Sequence, residues 1–289
     1  MMKTLADLKG YQIVGKHSAV KTCLWLKKSL KDQGFCYKQK FYGISSHRCL
    51  QMTPALICNL SCIHCWRPLD LMPPFKEWDD PSFIVEESIK AQRRLLSGFH
   101  GTEGVNKKKL MEAYQPNQVA ISLIGEPTLY PCIDELIDEF NKKGFTTFLV
   151  TNGTNPKALE VSEPYQLYIS ITAWDSESHK TLQKGNLWER IEQSLKIMSE
   201  KDCRTVIRLT LMRGVNMNPE KFVRIIEKAS PDFIEAKAYM YLGYSRKRLS
   251  RDAMPEHSEV VEFSQELAKL TSYEIRDESE ISRVVLLER

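Results

Sequence analysis

Residues 55–68 read ALICNLSCIHCWRP, and in them Cys58, Cys62 and Cys65 stand three and then two residues apart. The apolar run just before, Met52 to Ile57, reads as a strand, so three thiols fall on the loop that leaves its carboxyl end. A closed zinc site needs a fourth Cys or His, and the loop offers only His64, squeezed between two cysteines. An iron–sulfur cube held by three thiolates instead leaves one iron open to another ligand.

Outward from this loop the chain alternates. Short apolar runs at 119–125 (VAISLIG), 145–152 (FTTFLVTN), 166–173 (QLYISITA), 205–212 (TVIRLTLM) and 233–240 (FIEAKAYM) read as strands. Helical patterns at 132–143, 187–200 and 219–230 lie between them. With the strand at Met52 to Ile57 this makes about six βα units, a parallel sheet with right-handed crossovers and ligands gathered at the carboxyl rim. Upstream, residues 18–34 read as one helix with Ser18 as N-cap, Gly34 as stop and Cys23 on it. Pro68 to Pro81 reads as an irregular excursion, and Ile84 to Leu96 resumes helical spacing.

The 289 residues are 42% hydrophobic, enough for one large core, and no stretch approaches the ~18 apolar residues of a membrane span. The N-terminus lacks the apolar run of a signal peptide, so a soluble, cytoplasmic protein is expected; a monomer is expected as a separate matter. Eight cysteines in such a chain favour metal over disulfides, and six of them lie between residues 23 and 65. A net charge of +4 is compatible with a polyanionic partner without demanding one. Cys132 and Cys203 fall within or at the edge of predicted elements and read as packing residues.

The C-x3-C-x2-C loop, set between a first strand and a parallel α/β array, resembles the signature of the radical S-adenosylmethionine (SAM) superfamily. That resemblance implies a partial (β/α)6 radical SAM barrel in which Cys58, Cys62 and Cys65 hold a 4Fe-4S cluster whose open iron chelates SAM. The cofactor would then carry the radical chemistry. The superfamily's Gly-Gly-Glu-Pro motif appears here as LIGEPTLYP, with Gly125 and Glu126 matching and Ile124 in place of the first glycine. Glu126 is the expected partner of the SAM ammonium. Asn152, Ser170, Thr172 and Arg208 are further candidates for its ribose and carboxylate.

A second triplet, Cys23, Cys36 and Cys49, is spaced by twelve and twelve residues. Taken alone it reads equally as the ligands of a second cluster or as buried thiols. The segment CYKQKFYGISSHRC (36–49), however, closely resembles the N-terminal cluster region of the archaeal 4-demethylwyosine synthases. Further stretches match that family in order: CNLSCIHCWRP, SLIGEPTLYP, FLVTNGTNP, QLYISITAWDSE, RLTLMRGVNM, AYMYLGYSRKRL and MPEHSEV.

The resemblance implies two 4Fe-4S clusters, SAM, an unidentified electron donor, and two substrates: tRNA(Phe) carrying N1-methylguanosine at position 37, and pyruvate. It implies a pyruvate-dependent, carbon–carbon lyase type of reaction in wybutosine biosynthesis, with two pyruvate carbons closing a third ring on the base. The two triplets would face one cavity. Lys38 matches the lysine assigned a Schiff base with pyruvate, and Lys40 is its rival. Residues 1–50 would form an extension bearing the auxiliary ligands, and 51–289 the core, with an insert at about 67–115.

Basic stretches at Arg93-Arg94, at Lys107 to Lys109, and at Arg246, Lys247, Arg248 and Arg251 could meet phosphates. The last is preferred because it follows a strand end and has Tyr241 and Tyr244 near for stacking. Two alternatives stay open: a radical SAM enzyme on another substrate with an electron-relay second cluster, or a zinc-stabilised tRNA-binding module.

Overall fold

The computed structural model describes residues 9–68 and 76–289, so 69–75 of the expected excursion lie outside the described residues. Contacts gather into two units: one from the described residues of 1–58, 70–150 and 161–165, the other from those of 59–69, 151–160 and 166–289.

The first unit carries β1 (Gln12–Val14), β2 (Ser18–Val20), α1 (Leu24–Ser29), α2 (Tyr37–Tyr42), β3 (Cys49–Thr53), α3 (Pro81–Ser97), α4 (Lys107–Ala113), β4 (Gln118–Ile121), α5 (Ile133–Lys142) and β5 (Thr146–Thr151). Its strands lie in the order β1-β2-β3-β4-β5, antiparallel at the β1–β2 and β2–β3 pairs and parallel from β3 onward. In α5 the buried residues Ile133, Leu136, Ile137 and Phe140 recur at helical spacing, one apolar stripe. Asp80 caps α3 by accepting from the Ser82 N–H at 2.8 Å, and Pro81 occupies the first turn, where its missing donor costs nothing.

The single helix expected over 18–34 is not formed. Ser18–Val20 is a buried strand paired with β1 and β3, and α1 begins only at Leu24, with Cys23 as its N-cap. Pairing to strands on both sides outweighs a helical spacing that rests on four apolar residues, and Val20, being β-branched, suits the strand. The strand expected at Met52 to Ile57 lies earlier, because Pro54 has no N–H to extend the ladder beyond Thr53. Cys49 therefore opens β3.

After α6 (Pro156–Val161), the second unit carries β6 (Gln166–Ile171), α7 (Ser176–Gln183), α8 (Trp188–Ser199), β7 (Arg204–Leu211), α9 (Glu220–Ala229), β8 (Phe233–Ala238), α10 (His257–Leu270), β9 (Glu274–Ser279) and β10 (Val284–Glu288). Its strand order is β6-β7-β8-β10-β9; the first three are parallel, and β10 runs antiparallel to both its neighbours. Each unit thus holds three consecutive parallel strands, close to the positions read from the sequence. On β6, Leu167, Ile169 and Ile171 alternate with Gln166, Tyr168 and Ser170, so one face is apolar and the other carries polar groups.

Candidate cofactor and metal site

In the first unit, three elements deliver the upstream cysteines: Cys23 caps α1, Cys36 stands at the N-cap of α2 and Cys49 starts β3. Their sulfurs converge closely enough to feel one another. Burial pushes the Cys23 thiol up to about 11, with Cys36 adding to the rise, and the Leu26 N–H, donating to Cys23 Sγ at 3.3 Å, opposes it. Burial likewise raises Cys49, reinforced by Cys23 and Cys36 and opposed by the charge of Lys38 and by the Ala120 backbone. Without metal these thiols stay protonated, and a metal would have to displace their protons.

Residues that the sequence did not point to hold this arrangement. Ser46, fully buried, accepts from the Cys36 N–H at 2.8 Å and donates its hydroxyl to Gln39 Oε1 at 2.8 Å; the Ser46 N–H donates to the same oxygen at 3.0 Å. Gln92 donates to the Cys49 carbonyl at 3.2 Å. Lys38, on the first turn of α2, places Nζ 4.5 Å from the centroid of the Phe148 ring. Lys38, unlike these residues, is already singled out by the resemblance of the 36–49 segment.

Also in the first unit, the LIGEP turn is built against the segment that enters the cysteine loop. Gly125 has φ +74°, and a Cβ there would collide with the carbonyl oxygens of Ala55 and Ile57. Ile124, standing where the superfamily has glycine, buries its side chain with Ala19, Leu56 and Leu123, and its carbonyl accepts from Thr53 Oγ1 at 2.6 Å. Glu126 is 2% exposed; its N–H donates to Ile57 O at 2.8 Å, and its Oε1 accepts from the hydroxyl of Thr128 at 2.7 Å.

Cys58 is exposed and ends the opening segment of the first unit, whereas Cys62 and Cys65 belong to the second. There the loop is laid along the end of α7. Ser61 N–H donates to Gln183 O at 3.0 Å, Ile63 N–H to Leu182 O at 2.9 Å, and the Gln183 amide to Cys62 Sγ at 3.8 Å. His64 is driven down to about 4 by burial and then by the charge of Arg248, and its buried Nδ1 has no partner among the described residues. An orphaned ring nitrogen between two cysteines, with an amide aimed at one sulfur, suits a cluster whose sulfides accept hydrogen bonds. Asn59, next in the loop, donates to Thr154 Oγ1 at 2.7 Å and accepts from Asn152 Nδ2 at 3.0 Å. Asn152 is thereby joined to the cysteine loop itself, and its Oδ1 takes up the Thr154 N–H and hydroxyl.

The remaining candidates lie on β6 and β7. Ser170 pairs in register with Arg208. Arg208 Nε donates to Glu235 Oε2 at 2.9 Å, the Tyr168 hydroxyl donates to Glu235 Oε1 at 3.1 Å, and the guanidinium lies 4.6 Å from the centre of the Tyr168 ring. Glu235, fully buried, went unnoticed in the sequence because one acid in an apolar run gives no periodic signal. The Thr172 hydroxyl is buried and has no partner among the described residues.

Of the basic run, Arg246, Lys247 and Arg251 are exposed, with Arg246 5.2 Å from the Tyr241 ring centroid and Lys247 5.6 Å from that of Tyr244. Arg248 turns inward instead, donating to the carbonyls of Ile63, at 3.1 Å, and Cys65. Among the described residues no three His, Cys, Asp or Glu side chains are close enough to hold a single metal ion, so geometry alone assigns no metal to either triplet. Nor is any helix among them long and apolar enough to cross a membrane.

Comparison with known proteins joins these pieces. Residues 52–227 match the Radical SAM superfamily, and residues 228–289 match the family described as Wyosine base formation. The chain is 54% identical over 309 residues to the S-adenosyl-L-methionine-dependent tRNA 4-demethylwyosine synthase of Pyrococcus horikoshii, covering 100% of this chain and 90% of that one. It is 46% identical to the Methanocaldococcus jannaschii protein of the same name, over 96% of this chain and 92% of the relative. Two solved structures are similar: "Structure of TYW1 with a lysine-pyruvate adduct bound" (TM-score 0.91, 43% identity, 98% of this chain and 94% of that one) and "Crystal structure of archaeal TYW1" (TM-score 0.83, 41% identity, 98% and 94%). The fold is accordingly the α/β fold of radical SAM proteins, and the three parallel strands of each unit together agree with the expected (β/α)6 count.

Proposed function

Because the chain belongs to the S-adenosyl-L-methionine-dependent tRNA 4-demethylwyosine synthases of the radical SAM superfamily, we propose that it converts N1-methylguanosine-37 of tRNA(Phe), with pyruvate, to 4-demethylwyosine, using two 4Fe-4S clusters. The cluster of the Cys58, Cys62 and Cys65 loop, with SAM bound, supplies a hydrogen-abstracting radical. Everything else is work for the protein's own residues.

Glu126 accepts from the SAM ammonium, and Thr172, Ser170 and Arg208 meet its polar groups from the strand ends. The orphaned Thr172 hydroxyl supports that reading. Asn152 acts on the loop through Asn59. Cys23, Cys36 and Cys49 hold the second cluster, and residues 1–50 thus serve as an extension to the core at 51–289, with its insert at about 67–115. Lys38 condenses its amine with the pyruvate keto group, releasing water and fixing the carbons that will enter the base. Phe148 closes one side of that amine. Arg246, Lys247 and Arg251 contact RNA phosphates, with Tyr241 and Tyr244 beside them for stacking.

The observation that carries the reading is the delivery of Cys23, Cys36 and Cys49 by three separate elements of one unit, at the N-caps of α1 and α2 and the start of β3, with Lys38 on the first turn of α2. It fits the lysine–pyruvate adduct named for the similar structure. The test is an imine trap: labelled pyruvate with cyanoborohydride should mark the wild-type chain and Lys40→Arg, but not Lys38→Arg. Release of 5′-deoxyadenosine should require methylated tRNA and pyruvate together. Indifference of that release to both substrates would overturn the proposal.

A further inference from the structure

The turn Gly243–Arg248 has two unlike faces. Outward, Arg246 and Lys247 are exposed. Inward, three hydrogen bonds of the turn go to the backbone of the cysteine loop. The Tyr244 N–H donates to Trp66 O at 2.9 Å, Arg248 Nε donates to Ile63 O at 3.1 Å, and the Arg248 guanidinium also reaches Cys65 O. Gly243, at φ +54°, lies so close that a Cβ would strike the Trp66 carbonyl.

The turn is itself rigid. Ser245 is fully buried, donates to Leu242 O at 2.6 Å, pairs with the Tyr239 hydroxyl at 2.8 Å, and its carbonyl takes the N–H groups of Arg248 and Leu249 at 2.9 Å each. Ile63 packs against the core cluster of Met212, Tyr239 and Ala253. One side chain therefore bridges a fixed turn to the carbonyls of residues 63 and 65, either side of His64 and immediately at Cys65. A planar guanidinium can span two acceptors in this way, whereas an ammonium offers one compact charge.

We propose that Arg248 is a positioning residue for the Cys62–Cys65 loop and not a phosphate contact. It fixes the carbonyls around Cys65, so that the loop presents its thiolates to the cluster in one geometry, and it keeps a positive charge beside them. This rests on the reading of that loop as the SAM-cluster loop.

The experiment uses the reconstituted full chain and measures SAM affinity, the electron paramagnetic resonance spectrum of the reduced cluster with and without SAM, and tRNA affinity across salt. Arg248→Met should weaken SAM binding by about tenfold or more and alter the SAM-bound spectrum. Its tRNA affinity and salt slope should match wild type, while Arg246→Ala and Lys247→Ala should each lower the slope by about one. Arg248→Lys, which keeps the charge, should recover only part of the SAM affinity, and it stands in should Arg248→Met not fold. The inference is overturned where Arg248→Met lowers the salt slope and keeps the wild-type spectrum, or where Arg248→Lys behaves as wild type in every measurement. Should wild type itself show no SAM-dependent spectrum, the cluster reading fails instead.

Discussion

Gly125 and Ile124 show what a single position can and cannot announce. The sequence marks Gly125 by motif, and the structure supplies the reason: positive φ and carbonyl oxygens where a Cβ would go. Gly125→Ala should cost about 1–3 kcal/mol from the backbone conformation alone, with SAM binding lost as well, as read by thermal melting and equilibrium dialysis. Ile124 departs from the superfamily pattern, and sequence could say only that a glycine was missing. Its buried side chain means that Ile124→Gly should destabilise the fold by about 2–5 kcal/mol or more, without improving SAM affinity. His17 was silent in the sequence. It is fully buried; Nδ1 donates to Pro54 O at 2.6 Å, Nε2 accepts the Asp79 N–H at 2.7 Å, and the second of these bonds requires the neutral ring. Burial holds its pKa below the ordinary histidine value despite the nearby Asp79 carboxylate. The unfolded chain takes up the proton first, so this contribution is complete above about pH 6.5 and is lost as pH falls through that value toward the lowered one. Melting temperature should therefore fall between pH 7.5 and 5.5 more steeply in wild type than in His17→Gln.

Strands and helices were legible where period and burial agree. The alternating runs from 119 onward became β4 to β8 within a few residues, because a βα rhythm has both an apolar signature and stop signals. The helix expected over 18–34 failed because three residues were claimed by neighbouring strands, information that lies in the partner and not in the segment. Nor did the sequence reading find α10, β9 and β10: β9 is largely exposed, without an apolar face to register. Between β7 and β8, the ion pair of Arg208 with Glu235 is a cross-strand bond within the sheet, in register and almost wholly out of water. Glu235→Ala would leave the mostly shielded guanidinium beside Tyr168 without its carboxylate. Denaturant unfolding should show a loss of about 3–5 kcal/mol, much larger than for Lys228→Ala, whose exposed pair with Glu192 contributes about 0–1 kcal/mol.

For the molecule as a whole, the sequence located both cysteine triplets, but not the hydrogen bonds around them; Ser46, Gln39, Gln183 and Arg248 use side chains that reach across the fold to backbone atoms, to one another or to a sulfur, at spacings that make no motif. The two clusters proposed above predict about eight iron per chain in wild type and about four in the Cys23→Ala, Cys36→Ala, Cys49→Ala variant, with the SAM-dependent spectrum kept. Loss of all iron in that variant would argue against separate clusters. The bond from Arg248 to the Ile63 carbonyl spans 185 residues of chain. During synthesis the cysteine loop emerges long before the guanidinium that braces it, so a nascent chain halted at residue 240 should bind iron poorly at that loop. Metallation of the proposed cluster loop should thereby wait for Arg248 to be translated and folded back onto it, and not only for the three cysteines.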